Sequence, residues 1–275
     1  MLMDDARRAD PAKYGPWAVI AGGSEGIGAA FAQRLAESGI NLVLLARKPE
    51  PLEEVTAQVA ALGVEVRSRA IDLTAADAMD QVKALTDDIA VGLVIYNAGS
   101  SDRVVEFLDE PLESWLRLIN LNVIGQTTFT HHFGGLMRKR GHGGIILVGS
   151  IAGCCGANAF ATYAAVKSFS RVLVEGLWRE FSPDGVDILS LIAGSTYTPA
   201  AVRMGQPTEH PLLPTVTAME VADAGLANLA DGPVYVMPLQ QEAFAYLRSL
   251  PPKEAAIAVG RSTNKMFGRT ERSMA

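Results

Sequence analysis

Residues 17–28 read Trp17-Ala18-Val19-Ile20-Ala21-Gly22-Gly23-Ser24-Glu25-Gly26-Ile27-Gly28, and this stretch decides the fold. An unbroken apolar run predicts a strand covered on both faces, because a half-exposed strand would alternate apolar with polar residues. The glycines then let the chain turn tightly, and an amphipathic helical pattern runs from Gly26 to Ser38. Strand, glycine turn and helix in that order set free N–H groups and the favourable end of a helix dipole over the turn. A pyrophosphate can approach the backbone there. A glycine turn alone is also what any tight strand–helix connection needs. Its place between an apolar run and an amphipathic helix is what points to nucleotide binding.

The alternation continues outward from this unit. Further strands are predicted at Ile40–Ala46, Glu65–Ala70, Val91–Asn97, Gly144–Ser150, Val186–Ile192 and Val234–Met237, with the first at Trp17–Gly22. Helical patterns lie between them at Pro51–Leu62, Ala75–Asp88, Leu112–Arg140, Asn158–Phe181 and Ala218–Ala230. Repeated strand–helix–strand units with right-handed crossovers predict a doubly wound α/β fold. It is Rossmann-like, with a seven-stranded parallel sheet and helices on both faces. Residues 1–16 are expected to form a loosely ordered arm, 17–238 a dinucleotide-binding catalytic domain, and 239–275 a helical tail broken at Pro251-Pro252. The Pro-, Thr- and Gly-rich stretch Gly194–Pro214 reads as a mobile loop near the site.

Composition narrows the function. The chain has 275 residues, 49% of them apolar and 20% charged, which is ordinary for one globular domain. A net charge of -6 argues against nucleic acid as a partner, since phosphate contacts need clustered Lys and Arg. The cysteines, Cys154 and Cys155, are adjacent and read as reduced thiols of a cytoplasmic protein. His131 and His132 lack the spacing to make a metal site with them, so no metal is expected. Gly143–Val166 carries no charge, but its glycines and polar residues suit a buried strand, loop and helix start better than a transmembrane segment.

Chemistry concentrates in a few positions. The second strand ends Leu45-Ala46-Arg47-Lys48 with no acid to bond an adenosine ribose. Arg47 suits a 2′-phosphate, which favours NADP(H) over NAD(H); Glu25 in the phosphate turn argues the other way. Tyr163 and Lys167 stand at i and i+4, on one face of a predicted helix. A phenol beside an ammonium can give a proton to a nascent alkoxide and take it back. Ser150, at a strand's C-terminal end, is placed to bond a substrate oxygen. Asn122 lies in an apolar helix, where a buried amide must find partners. Ile151, Cys154, Cys155, Phe160 and Met204 are candidates for an apolar pocket wall.

Together these motifs resemble the short-chain dehydrogenase/reductase family over Trp17–Met237. The glycine loop matches at Gly22, Gly26, Ile27 and Gly28, with Ser24 inside it. An Asn-Ala-Gly motif matches at Asn97-Ala98-Gly99, and the Asn–Ser–Tyr–Lys tetrad falls on Asn122, Ser150, Tyr163 and Lys167. The resemblance implies that Tyr163 is the acid/base and that Ser150 positions the carbonyl. Lys167 would bind the nicotinamide ribose and lower the Tyr163 pKa, and Asn122 would hold a relay water. It further implies that Asp72 and Leu73 meet the adenine, and that Gly194, Thr196 and Thr198 lie where the nicotinamide carboxamide binds. Ala21, Tyr96 and Ala193 depart from the family pattern in supporting positions. The tail is similar to that of members acting on 3-oxoacyl or steroid-like ketones. The resemblance implies a homodimer or homotetramer formed through helices Leu112–Arg140 and Asn158–Phe181. The expected activity is hydride transfer between NADP(H) and an apolar carbonyl or secondary alcohol. The alternatives are an NAD-dependent alcohol dehydrogenase or a non-catalytic nucleotide-binding regulator.

Overall fold

The computed structural model describes residues 9–99, 104–203 and 215–270. A short helix α1 (Pro11–Tyr14) leads into β1 (Trp17–Ala21), α2 (Gly26–Glu37), β2 (Asn41–Ala46), α3 (Pro49–Ala60) and β3 (Val66–Ala70). Next come α4 (Ala78–Thr86), β4 (Val91–Tyr96), α5 (Leu112–Ile119), α6 (Gly125–Arg140) and β5 (Gly143–Ser150). Then follow α7 (Ala161–Phe181), β6 (Val186–Ala193), β7 (Thr196–Tyr197), α8 (Pro199–Arg203) and β8 (Val216–Thr217). The chain closes with α9 (Ala218–Ala227), β9 (Val234–Val236), α10 (Gln241–Ser249) and α11 (Pro252–Met266).

Seven strands form one sheet in the order β3-β2-β1-β4-β5-β6-β9, every pair parallel. The order reverses between β1 and β4, so the glycine turn after β1 opens into the crevice at the carboxyl edge. One apolar cluster packs Phe31 and Leu35 of α2, Leu52 and Val59 of α3, and Val221 and Leu226 of α9 on one face. A second packs Val82 of α4, Phe129, Phe133 and Met137 of α6, and Val174 of α7 on the other. The doubly wound architecture expected from the alternation is therefore the one observed. Among the described residues no helix is long and apolar enough to cross a membrane.

Several expectations are corrected. The helix read across Leu112–Arg140 is interrupted by a π-helical turn, Asn120–Ile124. The helix read from Asn158 starts at Ala161, because Ala159 adopts φ 58°, outside the right-handed helical region. From Ala9 onward the N-terminal arm is not loose. Tyr14 is buried and donates its hydroxyl to Asp187 at 2.5 Å, while Lys13 pairs with the same carboxylate. β3 is an edge strand whose Arg67, Ser68 and Arg69 are not covered on both faces.

Candidate active site

The turn after β1 is held by its neighbours. Gly22 and Gly23 donate to the Leu45 carbonyl at 2.7 and 3.1 Å, and Asn97 Nδ2 donates to the Gly22 carbonyl at 3.0 Å. Asn97 and Ala98 donate their backbone N–H groups to the Ala21 carbonyl. The Asn-Ala-Gly segment is thus a brace for the glycine turn. Gly22 sits at φ 84°, and a Cβ on Gly28 would lie 1.9 Å from the Gly22 carbonyl oxygen. No side chain fits there, so the turn keeps bare backbone at the N-terminus of α2, the shape a pyrophosphate needs.

At the far end of the crevice Arg47 is exposed beyond β2. Asp72, after β3, accepts from Thr74 through backbone (3.0 Å) and hydroxyl (2.7 Å) and from Arg117 at 2.6 Å. Burial works against its ionisation, but these donors outweigh it and hold its carboxyl down at about 2. Leu73 packs against the apolar cluster beside it.

The four candidate residues lie on β5, α7 and the π turn, and α7 packs against both of the others. Ser150 ends β5 and caps the following 3-10 turn, accepting from Ala152 N at 3.2 Å. Its hydroxyl neighbours the Tyr163 phenol and favours the ionised form of that phenol. Lys167 is 4% exposed; its Nζ donates to the Val148 carbonyl at 3.0 Å and lies 5.7 Å from the Tyr163 ring centroid. Asn122 is fully buried. Its Nδ2 donates to the Leu118 carbonyl at 3.0 Å, while its Oδ1 has no partner. Gly99 lies so close that a Cβ there would be 2.1 Å from that oxygen. A π turn frees backbone groups from the regular helical ladder, and Tyr96 uses one of them by donating to the Leu121 carbonyl at 2.7 Å. That is what the departure at Tyr96 does.

The electrostatics differ from the expectation in one respect. Burial pushes the Tyr163 phenol up, against the opposing effect of the Ser150 hydroxyl. Burial also pushes Lys167 down to about 8. Desolvation therefore sets the direction for both groups, while Lys167 gives a proton to the Val148 carbonyl and lies over the Tyr163 ring.

The segment after β6 folds back over this edge. β5 and β6 pair Ser150 with Ala193, so Gly194 begins level with the serine. A Cβ on Gly26 would lie 2.9 Å from the Thr198 methyl, and Thr196 Oγ1 donates to the Gly194 carbonyl at 3.1 Å. Arg203 of α8 makes two hydrogen bonds to Glu25, one of them 2.9 Å. Those bonds hold the Glu25 carboxyl below its ordinary range, against burial. The acid that argued against a second phosphate is thus neutralised from within.

The pocket candidates divide. Phe160 stacks obliquely between Tyr163, at 5.9 Å between centroids, and Phe267 of the tail, at 5.7 Å. Cys154 and Cys155 are free thiols directed at tail carbonyls, Sγ to Phe244 O at 3.6 Å and to Ala255 O at 3.9 Å. Burial pushes Cys154 up to about 11 and raises Cys155 as well. Ile151 stands beside Ser150 in the same 3-10 turn, and Met204 lies outside the described residues. Sequence reasoning missed Gln240. It is 7% exposed, packs where a Cβ on Gly194 would lie 2.1 Å from its Cδ, and leaves Oε1 unpartnered. Its only sequence signal was a glutamine after a strand end, which many loops share.

Comparison with known proteins fits this geometry. The family model described as short chain dehydrogenase matches residues 16–208. A 7beta-hydroxysteroid dehydrogenase of Clostridium sardiniense is 31% identical over 192 residues, covering 70% of this chain and 73% of its own length. A very-long-chain 3-oxoacyl-CoA reductase of Macaca fascicularis is 29% identical over 223 residues, covering 79% and 71%. A solved short-chain dehydrogenase from Sphingobium yanoikuyae, in complex with NADPH, superposes with a TM-score of 0.76. Its identity is 28%, over 95% of this chain and 98% of that one.

Proposed function

The chain belongs to the short-chain dehydrogenase/reductase family, and on that premise we propose that it reduces an apolar ketone, 3-oxoacyl or steroid-like, with NADP(H), reversibly. The observation that carries this is the convergence of Ser150, Tyr163 and Lys167 at the carboxyl edge of the sheet, level with the glycine turn.

The dinucleotide, when bound, supplies or accepts the hydride. Gly22, Ser24, Gly26, Ile27 and Gly28 would hold its pyrophosphate, with Asn97 and Ala98 bracing that turn and Gly99 beside Asn122. Asp72 and Leu73 would border the adenine, Arg47 would face the 2′-phosphate, and Gly194, Thr196 and Thr198 would border the carboxamide. Ser150 donates to the substrate carbonyl and fixes its distance from Tyr163. The Tyr163 hydroxyl gives its proton to the oxygen as negative charge develops there. Lys167 would bond the ribose and, together with the positive charge that an oxidised nicotinamide would supply, would offset the burial that otherwise raises the phenol. Asn122 offers the unpartnered Oδ1 to a water that returns the proton.

Phe160, packed against Tyr163, favours an apolar ketone. The relatives that act on hydroxysteroids and 3-oxoacyl-CoA support the same class. Arg47, and Glu25 neutralised by Arg203, support NADP(H), as does the NADPH-bound relative. Self-association through α5–α7 is supported by the exposed Leu112, Leu116 and Val172 on that face.

The test is NADPH consumption against acetoacetyl thioesters, steroid ketones, quinones and aromatic ketones, with Tyr163→Phe as the blank. Turnover that falls about a hundredfold or more in the variant supports the reading; turnover unchanged by it removes Tyr163 from the chemistry. Arg47→Ala should weaken NADPH far more than NADH, and equal losses would remove the reason for preferring NADP.

A further inference from the structure

The π turn Asn120–Ile124 carries Asn122, and side chains hold it from two sides. At the end of β4 the Tyr96 hydroxyl donates to the Leu121 carbonyl. On the other side Asn120 Nδ2 donates to the Thr74 carbonyl at 3.2 Å, in the loop after β3, 46 residues earlier in the chain. Arg117, three residues before Asn120 on α5, donates from Nη2 to Asp72 Oδ2 of the same loop at 2.6 Å. Thr74 closes the ring by donating its backbone N–H and its hydroxyl to Asp72 Oδ1.

This ring joins two places with different tasks. Asp72 and Leu73 would border the adenine, and Asn122, two residues past Asn120, would hold the relay water. The ring is not part of either apolar cluster: Asp72 and Arg117 are partly solvated, and Asn120 and Thr74 are half-buried. Bonds in such a setting add little to the stability of the whole molecule. Their consequence is local, because they decide whether the loop and the turn are ordered together or separately. A single π turn is a rare conformation, so what ties it from outside matters.

We propose that Asn120 is a positioning residue: with Arg117 it passes the order imposed by a bound adenine from the Asp72–Thr74 loop to the π turn that carries Asn122. A ligand that fixes the loop lowers the entropy still to be lost when the turn is fixed, and by linkage a fixed turn favours the adenine. The inference rests on the reductase reading for the adenine at Asp72 and for the task of Asn122, and adds how the two ends of that site act on each other.

Adenosine 2′,5′-bisphosphate, which has the adenine end of NADP and no nicotinamide, is the probe. Hydrogen exchange of a peptide spanning residues 118–125 is followed by mass spectrometry. In the native protein saturating probe should slow that exchange about fivefold, the effect of about one hydrogen bond of added local stability. Asn120→Leu removes the donor. The probe should still bind it, no more than about fivefold more weakly, and the slowing should fall below about twofold. Should Asn120→Leu not fold, Arg117→Met, at an exposed position, carries the same test, with slowing below about threefold expected. Slowing undiminished in the variant, or none in the native protein with the probe bound, overturns the proposal. A residue that merely stabilised the fold would lower protection while leaving the response to the probe intact, and that outcome overturns it as well. If the probe does not bind at all, the adenine is removed from Asp72 and the dinucleotide reading falls with the proposal. Exchange that responds as expected while no ketone is turned over sustains the proposal and puts the ketone reading alone at fault.

Discussion

Tyr96 and Gly125 make a pair whose coupling can be worked out beforehand. Tyr96 is fully buried, its hydroxyl donates to the Leu121 carbonyl, and its ring meets Phe129 edge-on at 5.2 Å. Tyr96→Phe keeps the ring but leaves a carbonyl of the π turn without its donor. That costs about 1–3 kcal/mol, or about 4–8 °C in the thermal midpoint if the loss is about 2 kcal/mol. Gly125→Ala in the native background sets a Cβ 2.2 Å from the Tyr96 hydroxyl oxygen. The forced shift costs about 1–3 kcal/mol, partly offset by about 1 kcal/mol of helix propensity. With the hydroxyl removed, the next ring atom is Cζ at 3.2 Å, so most of the clash disappears while the propensity gain stays. The residual contact with Cζ offsets that gain, so the double variant should be about as stable as Tyr96→Phe alone, a coupling of about 1 kcal/mol, the cost of Gly125→Ala by itself. Urea unfolding of the four proteins measures it. Additivity within about 0.5 kcal/mol would refute the argument that this hydroxyl and this glycine were fitted to each other.

Three further outcomes are expected. Lys167 has a folded pKa of about 8 against an ordinary value of 10.5, so between those values the unfolded chain binds more protons and its contribution to stability rises with pH. Lys167→Met should remove that rise, on the order of 3 kcal/mol, from the difference between the two pH–stability curves; parallel curves would mean that the ammonium is not desolvated. Glu25→Gln should lower the thermal midpoint by no more than about 2 °C, because the pair with Arg203 is partly solvated. It should also tighten NADPH severalfold by removing a carboxylate from the anion end of α2, and weaker binding would show that Glu25 assists the site. Gly28→Ala should abolish dinucleotide binding in a fluorescence titration, since its Cβ meets backbone rather than a yielding side chain; binding within threefold of native would refute a close-packed turn.

The sheet was legible because its strands are buried on both faces, so burial alone writes them as apolar runs; β1 and β4 are buried throughout. The tetrad and the glycine turn were legible because their spacing is local or set by strand ends. What escaped depends on distance or on a single backbone choice. The Glu25–Arg203 pair joins residues 178 apart, and the docking of Tyr14 on Asp187 spans 173. No periodicity records either. The π turn at Asn120–Ile124 keeps helical composition and differs only in hydrogen-bond phase. The late start of α7 follows from one positive φ at Ala159, a residue otherwise at home in helices. The fall in Lys167 pKa reflects burial, which a sequence expresses only after folding.

The two neighbouring thiols carry a consequence for following this protein in solution. Each sulfur is packed against a tail carbonyl, Cys154 under Phe244 and Cys155 under Ala255, and burial keeps both protonated at neutral pH. A thiol reacts as thiolate and only where a reagent can reach it. Both thiols are half-buried under the tail, so alkylation at either position should speed up whenever α10 and α11 lift away. The thiol pair thus senses how closely the tail packs, and compounds that hold the tail down should slow the reaction.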